Sequence, residues 1–302
     1  MSKEDPPANI PPFSLPETGE KDTGRVISHF GQYVKIETMQ GVVKWKPPHR
    51  ESWVVGDMIR FVDGRPKTSL PRRNELSRMS GRKGASQALA ANIDWLVIVT
   101  ACGESLKPGL IDRFIVASGH AGIKSMIVLN KIDLENAPEC KTQVGKYRAL
   151  GFPVYCLSAL TGEGIDVFTG ALKNSISSMV GHSGVGKTSI INLLAPGSER
   201  MVREIHKETQ RGRHTTTNAL MVGLPSGGAI IDSPGIRIFS PAGVGRSEVA
   251  AHFPGFGKWL TGCKFRDCLH VTEPDCSIRD AVDDGCIDPD RYSSYLRLIE
   301  SI

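Results

Sequence analysis

The alternation of apolar and polar positions changes character twice along the chain. From Gly24 to about Val62 it is short: GRVISHF, QYVKIET, GVVKWK and DMIRFV each carry β-branched or aromatic residues bounded by Gly, Pro or Asp. Four or five short strands in so little chain predict a small β-barrel, and the OB fold is one of the few of this size. The next segment, Asp63 to Ala90, is polar and basic and is interrupted by Pro66 and Pro71. Its composition predicts a mobile connector.

At Ile93 the rhythm lengthens. DWLVIVTA reads as a buried strand, and IDRFIVASGHAG follows with helical spacing. SMIVLN (strand), a polar helix around Lys141 to Leu150, PVYCLSA (strand), GIDVFTGAL (helix), SSMVG (strand), KTSIINLLA (helix) and GGAIIDSPG (strand) continue the series. Strand and helix in turn predict a mostly parallel sheet with helices on both faces. Beyond about residue 245 the chain is polar, cysteine-containing and helical, and no internal repeat is present.

Composition narrows the class. A length of 302 residues, 40% apolar and 23% charged, suits two or three domains of a soluble globular protein. No apolar run approaches the ~20 residues needed to cross a bilayer. The opening MSKEDPPANIPPFSLPETGE is polar and proline-rich and lacks the apolar core of a signal peptide, which predicts a disordered tail and a cytoplasmic protein. Seven cysteines, an odd number, argue against a disulfide framework. The net charge is +5, and between Lys44 and Lys83 eleven Lys/Arg stand against four Asp/Glu. A solvated face and a nucleic-acid surface both fit that bias.

The sharpest chemistry lies in GHSGVGKTS, residues 181–189, which matches the phosphate-binding pattern G-x-x-x-x-G-K-[ST] between a strand and a helix. Gly181, Gly184 and Gly186 let backbone N–H groups turn toward phosphate oxygens, and His182, Ser183, Val185 and Ser189 complete the loop. Lys187 would reach the β- and γ-phosphates, and Thr188 would place its hydroxyl on Mg²⁺. In IIDSPG, Asp232 would hold Mg²⁺ through water and Gly235 would meet the γ-phosphate.

Guanine is favoured over adenine by NKID, residues Asn130, Lys131, Ile132 and Asp133. Asp133 can accept from the guanine N1–H and exocyclic amine, Lys131 can lay its stem on the ring, and Asn130 can tie the loop. Ser158 and Ala159 of LSAL would offer a backbone N–H to the guanine O6. All these pieces fall at carboxyl ends of predicted strands, where such sheets bind ligands. Their order is unusual, since the base-reading loops precede the phosphate loop. A circular permutation accounts for it without discarding any match, and it feeds the γ-phosphate-sensing D-x-x-G directly into the C-terminal region.

Between the phosphate loop and D-x-x-G, QRGRHTTTNA offers a switch threonine for Mg²⁺, Thr216 first and Thr215 next. Ile236 occupies the place where many GTPases carry a glutamine that orients the attacking water. His214 is the nearest substitute, against the alternative that it packs or touches RNA. Near the C-terminus, GCKFRDCLHVTEPDCS supplies Cys263, Cys268, His270 and Cys276, a complete tetrahedral set for one structural Zn²⁺, with Cys286 as a possible stand-in. Cys102, Cys140 and Cys156 read as core thiols.

The order NKID, SAL, GHSGVGKTS, GRHTTT, DSPG and C-x4-C-x-H-x5-C resembles the RsgA (YjeQ/YloQ) family of ribosome small subunit biogenesis GTPases, over about residues 24–300. The resemblance implies a multidomain chain. Residues 1–22 would be a disordered tail, 23–78 an OB-type RNA-binding β-barrel, 79–245 a circularly permuted P-loop GTPase α/β domain, and 246–302 a zinc-binding, mainly α-helical domain. It implies GTP/GDP, Mg²⁺ and one structural Zn²⁺ as cofactors, His214 as the catalytic residue, and a cytoplasmic monomer without membrane contact. Its partners would be the small ribosomal subunit and its rRNA, with the subunit stimulating GTP hydrolysis that controls binding and release during late maturation. A GTPase of another kind, and a nucleotide-gated RNA-binding module without turnover, are the rival classes.

Overall fold

The computed structural model describes residues 22–48, 50–80, 85–198, 219–232 and 243–302. The tail expected before Asp22, together with His214, Thr215, Thr216 and Gly235, lies outside the described residues.

The N-terminal strands form where the alternating pattern places them: β1 (Thr23–Phe30), β2 (Tyr33–Thr38), β3 (Gly41–Trp45) and β4 (Met58–Val62). In β2, Val34 and Ile36 point inward while Tyr33 and Lys35 face out, the period-two burial of a half-covered strand. Val26, Val34, Ile36, Trp53 and Ile59 make the core of this module, with Trp45 and Phe61 packed on it.

The connector expected over Asp63 to Ala90 is instead built of strands. β5 (Arg65–Ser69) pairs with β4, and β6 (Glu75–Ser80) pairs with β7 (Ala85–Ala91) as a separate hairpin. Pro66 is tolerated because among the described residues β5 pairs only with β4, and a strand edge has no use for the missing N–H. The polar hairpin is anchored by Leu76 and Leu89, both buried in the main core.

The main sheet follows the expected alternation. β8 (Trp95–Ala101), buried at every position after Trp95, is flanked in parallel by β9 (Lys124–Asn130) and β11 (Ile176–Val180). β10 (Val154–Cys156) lies beyond β9 and β13 (Ala229–Asp232) beyond β11, both parallel. β12 (Ala219–Gly223), which the sequence pattern did not reveal, pairs antiparallel with β13. Helices α1 (Pro108–His120) and α2 (Ala137–Ala149) cover the face presenting Leu96 and Ile98. Helices α3 (Ile165–Leu172) and α4 (Lys187–Leu194) cover the face presenting Val97 and Val99. From β8 the chain adds β9 and β10 outward on one side, then returns to place β11 on the other. The crevice between the carboxyl ends of β8 and β11 is therefore the topological switch point, where open α/β sheets hold ligands.

The C-terminal region packs α5 (Arg246–His252), a 3-10 turn (Gly257–Gly262), α6 (Ser277–Asp283) and α7 (Pro289–Glu300) around Val249, Phe253, Phe256, Tyr295 and Leu298. It docks on α1 and α2 through a buried polar network. Asp112 accepts from Tyr147 (2.8 Å), Ser294 (2.7 Å) and Arg291 (3.3 Å). Burial pushes the Asp112 carboxyl up from its usual range even with the Arg291 guanidinium beside it.

Candidate functional site

The phosphate loop crosses the switch point from β11 to α4. Gly181 and Gly186 hold φ of +147° and +96°, conformations that L-residues avoid. A Cβ on Gly181 would lie 2.2 Å from the Val99 carbonyl oxygen, and one on Gly186 would lie 2.2 Å from the Asn130 amide nitrogen. Both glycines are therefore required by close approach as well as by backbone angle. Lys187 folds back across the loop, donating to the carbonyls of Gly181 (2.8 Å) and His182 (2.9 Å). The His182 ring packs Nδ1 2.9 Å from the Ser183 carbonyl.

Asn130, buried at the end of β9, connects three loops. Its Nδ2 donates to the Val185 carbonyl at 2.8 Å, and its Oδ1 accepts from the Ala159 N–H at 2.9 Å. Its own carbonyl accepts from the Cys102 N–H at 3.0 Å. Lys131, next in line, turns through φ +62°, and Ile132 is buried beneath the loop. Asp133 is exposed, and the fully buried Ser158 donates to its carboxylate. The same hydroxyl accepts from the N–H groups of Leu160 and Thr161, so the carboxylate and the Ser158–Ala159 loop are held as one unit.

Asp232 ends β13, beside Met179 of β11 on one side and Leu220 of β12 on the other. Thr188 is the second residue of α4 and half-buried. The strand order β10, β9, β8, β11, β13 thus puts Asn130 to Asp133, Ser158 and Ala159, the loop 181–186 and Asp232 in one line along the carboxyl edge. β9 and β11 stand about two strand spacings, ~10 Å, apart across β8, and the Asn130 side chain closes that gap to the loop. Sequence reasoning identified these residues one by one; the Asn130 bridge across loops distant in the chain carried no sequence signal.

The four expected metal ligands converge. Cys263, Cys268, His270 and Cys276 bring one ligand atom each within 4.8 Å of one another. Cys263 Sγ lies 3.9 Å from Cys276 Sγ, and His270 Nδ1 lies 3.4 Å from each of those sulfurs. Tetrahedral zinc with its usual bond lengths would have edges of about 3.8 Å between sulfurs and about 3.6 Å between sulfur and nitrogen, so the donor set fits the ion. His270 takes φ +58° to turn inward, and Tyr292 and Tyr295 donate to the carbonyls of His270 and Leu269 at 2.7 and 2.6 Å. Cys286 is exposed and stands outside this group; Cys102 and Cys140 are buried and Cys156 half-buried, as core thiols should be.

Residues 69–242 match the family described as RsgA GTPase. A Small ribosomal subunit biogenesis GTPase RsgA from Pseudomonas aeruginosa is 40% identical over 296 residues, spanning 95% of this chain and 87% of that protein. One from Shewanella oneidensis is 38% identical over 310 residues, spanning 97% and 87%. Among solved structures, YjeQ from Thermotoga maritima aligns with a TM-score of 0.75 at 26% identity, covering 93% of this chain and 98% of that one. YloQ, described as a circularly permuted GTPase, aligns with a TM-score of 0.71 at 21% identity over 96% and 98%, a likeness of fold. No described helix is long and apolar enough to cross a membrane.

Proposed function

This chain belongs to the RsgA GTPase family, and from that membership we infer that it hydrolyses GTP to GDP and phosphate in the biogenesis of the small ribosomal subunit. The observation that carries the reading is the Asn130 bridge, which makes one nucleotide site of a base-reading loop and a phosphate loop that occur in reversed order in the chain.

In this reading guanine is recognised by Asp133, fixed by Ser158, with Lys131 against the ring and the Ala159 N–H toward O6. The N–H groups of residues 181–189 and the Lys187 ammonium take the phosphates, and the α4 N-terminus adds its positive end. Thr188, Thr216 and Asp232 would hold Mg²⁺, which supplies charge neutralisation on the phosphates. Water attacks the γ-phosphorus, the bond to the β–γ bridging oxygen breaks, and GDP leaves with that oxygen's electron pair. His214 is the proposed residue for orienting the water.

Cys263, Cys268, His270 and Cys276 would hold one Zn²⁺ that stabilises residues 246–302 without an open position for chemistry. We read the N-terminal module, residues 23–78, as an OB-type barrel contacting rRNA. Its outer face supports this: exposed Tyr33 has the Lys44 ammonium 4.9 Å from its ring centre, and exposed Lys35 lies on the same strand face. An aromatic platform beside cations suits stacked bases and phosphates. Residues 79–245 would be the GTPase domain, and the protein would work as a cytoplasmic monomer, where its ribosomal partner is assembled.

Co-sedimentation with purified small subunits tests the partner. Retention with a non-hydrolysable GTP analogue and release with GDP are expected; equal retention in both states would remove nucleotide control from the reading.

A further inference from the structure

β12 is the last strand of the main sheet on the side away from β10, and its outer edge is occupied. β1 of the N-terminal module pairs with it antiparallel, Ser28 opposite Leu220 and His29 opposite Ala219. On its inner edge Leu220 faces Asp232, and Asp232 faces Met179 of β11. One transverse row therefore runs Ser28, Leu220, Asp232, Met179. The N-terminal module reaches to within about two strand spacings, ~10 Å, of the carboxylate assigned above to Mg²⁺.

β1 is shaped for this double duty. Its register against β2 shifts between Val26 and Ser28, a bulge of the kind that bends a strand and re-aims the residues beyond it. Residues before the shift, Thr23 to Arg25, pair with β4, and residues after it pair with β12. The Ser28 hydroxyl is buried at this seam with no hydrogen-bond partner among the described residues. On the other side, Leu224 and Gly228 close the turn between β12 and β13 with a 3.0 Å hydrogen bond. That turn joins the end of β12 to the start of β13, and the antiparallel register it sets brings Leu220, near the start of β12, opposite Asp232 at the end of β13.

An uncovered edge strand is a template for strand addition by a partner. We propose that the edge of β12 is the effector surface of the nucleotide switch, and that its effector is this chain's own N-terminal module, added in cis through β1. Nucleotide state acts on the row at Asp232; the subunit acts on it through β1. Both bias one seam, so their effects are reciprocal: the factor by which GTP in place of GDP changes subunit affinity equals the factor by which the subunit changes preference for GTP. This inference rests on the assignment of Asp232 to Mg²⁺ and of the N-terminal module to the subunit.

Ala219→Pro tests it in the full chain. Ala219 is the first residue of β12 and faces His29, whereas described pairing with β13 begins at Leu220. Proline is tolerated at a strand's first residue, so the change falls on the seam. The variant should bind GDP and a GTP analogue as the wild type does and keep its basal turnover. Subunit affinity should become equal in the two nucleotide states, a loss of about 5–150-fold discrimination if the coupling is of ordinary size, and stimulation by subunits should fall with it. Unchanged stimulation and unchanged nucleotide dependence would overturn the proposal. Hydrogen exchange of the wild type, without subunits, is the second arm and needs no variant to fold. Amides of Ser28 and His29 should exchange at several-fold different rates with GDP and with the analogue, while β3 stays constant; identical rates would overturn the seam. A wild type that ignores subunits would instead defeat the partner assignment, and the exchange arm would still decide the seam.

Discussion

Asn130 and Val185 are hydrogen-bonded side chain to backbone, Nδ2 to carbonyl oxygen at 2.8 Å, across the carboxyl end of the central strand. With the Ala159 N–H on the Oδ1 of the same amide, the base-reading and phosphate loops share one buried hinge pin. In the proposed site the permuted order of the chain is immaterial, because the sheet fixes each loop by its strand and Asn130 fixes the loops to each other.

Asn130→Ala removes both bonds at once. Each polar group left without a partner costs about 1–3 kcal/mol, and each 1.4 kcal/mol is tenfold in affinity. GDP and GTP binding should weaken together by about tenfold or more, since the pin joins two loops that both nucleotides would contact. Titration with fluorescent nucleotides reads the effect, and a loss confined to GTP would contradict this role.

Asp133→Asn should exchange guanine for xanthine. The carboxylate is held by Ser158, and in the proposed site it would accept from the guanine N1–H and amine. An amide presents a donor there, which the xanthine 2-carbonyl can meet. Competition assays should show GDP affinity falling and XDP affinity rising, with the fold intact by circular dichroism.

Arg291→Ala should loosen the C-terminal region. The Asp112 carboxylate would stay buried without its cation, a loss of about 3–5 kcal/mol by the usual behaviour of buried pairs. Adding Asp112→Asn should recover much of the stability, because a neutral amide can accept from one of the Tyr147 and Ser294 hydroxyls and donate to the oxygen of the other. Burial already raises the Asp112 pKa. Its protonated form is therefore the one favoured by folding, and the penalty grows as pH rises through the folded value. The deficit of Arg291→Ala should accordingly be larger at pH 8 than at pH 5 in thermal melts.

Glu273 supplies the opposite sign. Partial burial pushes its carboxyl up, but the N–H groups of Leu269, Val271 and Thr272 outweigh that and bring it to about 2. Its stabilising effect is present above the unfolded value of about 4.3 and is lost as pH falls through about 2. Glu273→Gln should thus melt lower than the wild type at pH 7, and the gap should close across the acid range. Removing zinc with a strong chelator should lower the melting temperature of both, and metal analysis should return one zinc per chain before treatment.

The sequence made legible what is local. Uninterrupted apolar runs such as WLVIVTA marked the buried parallel strands, the glycine spacing of 181–189 marked the loop that crosses the switch point, and the cysteine spacing of 263–276 marked four side chains that converge. It hid what depends on distant partners. β6 and β7 are rich in Ser and Ala, poor strand formers whose pairing with each other and whose buried Leu76 and Leu89 override propensity. ALMVG was eclipsed by the threonine-rich segment before it, and its place as β12 depends on β13 and β1. The Asn130 pin and the Ser28–Leu220 pair join residues far apart in the chain, so no window of sequence contains them.

Steady-state GTP turnover, measured on the purified protein with and without small ribosomal subunits and with ATP as control, tests the central claim most directly. The account predicts slow intrinsic hydrolysis, many-fold acceleration by small subunits, and no acceleration of ATP hydrolysis. Turnover that stays flat when subunits are added, or that proceeds as readily with ATP, would contradict it.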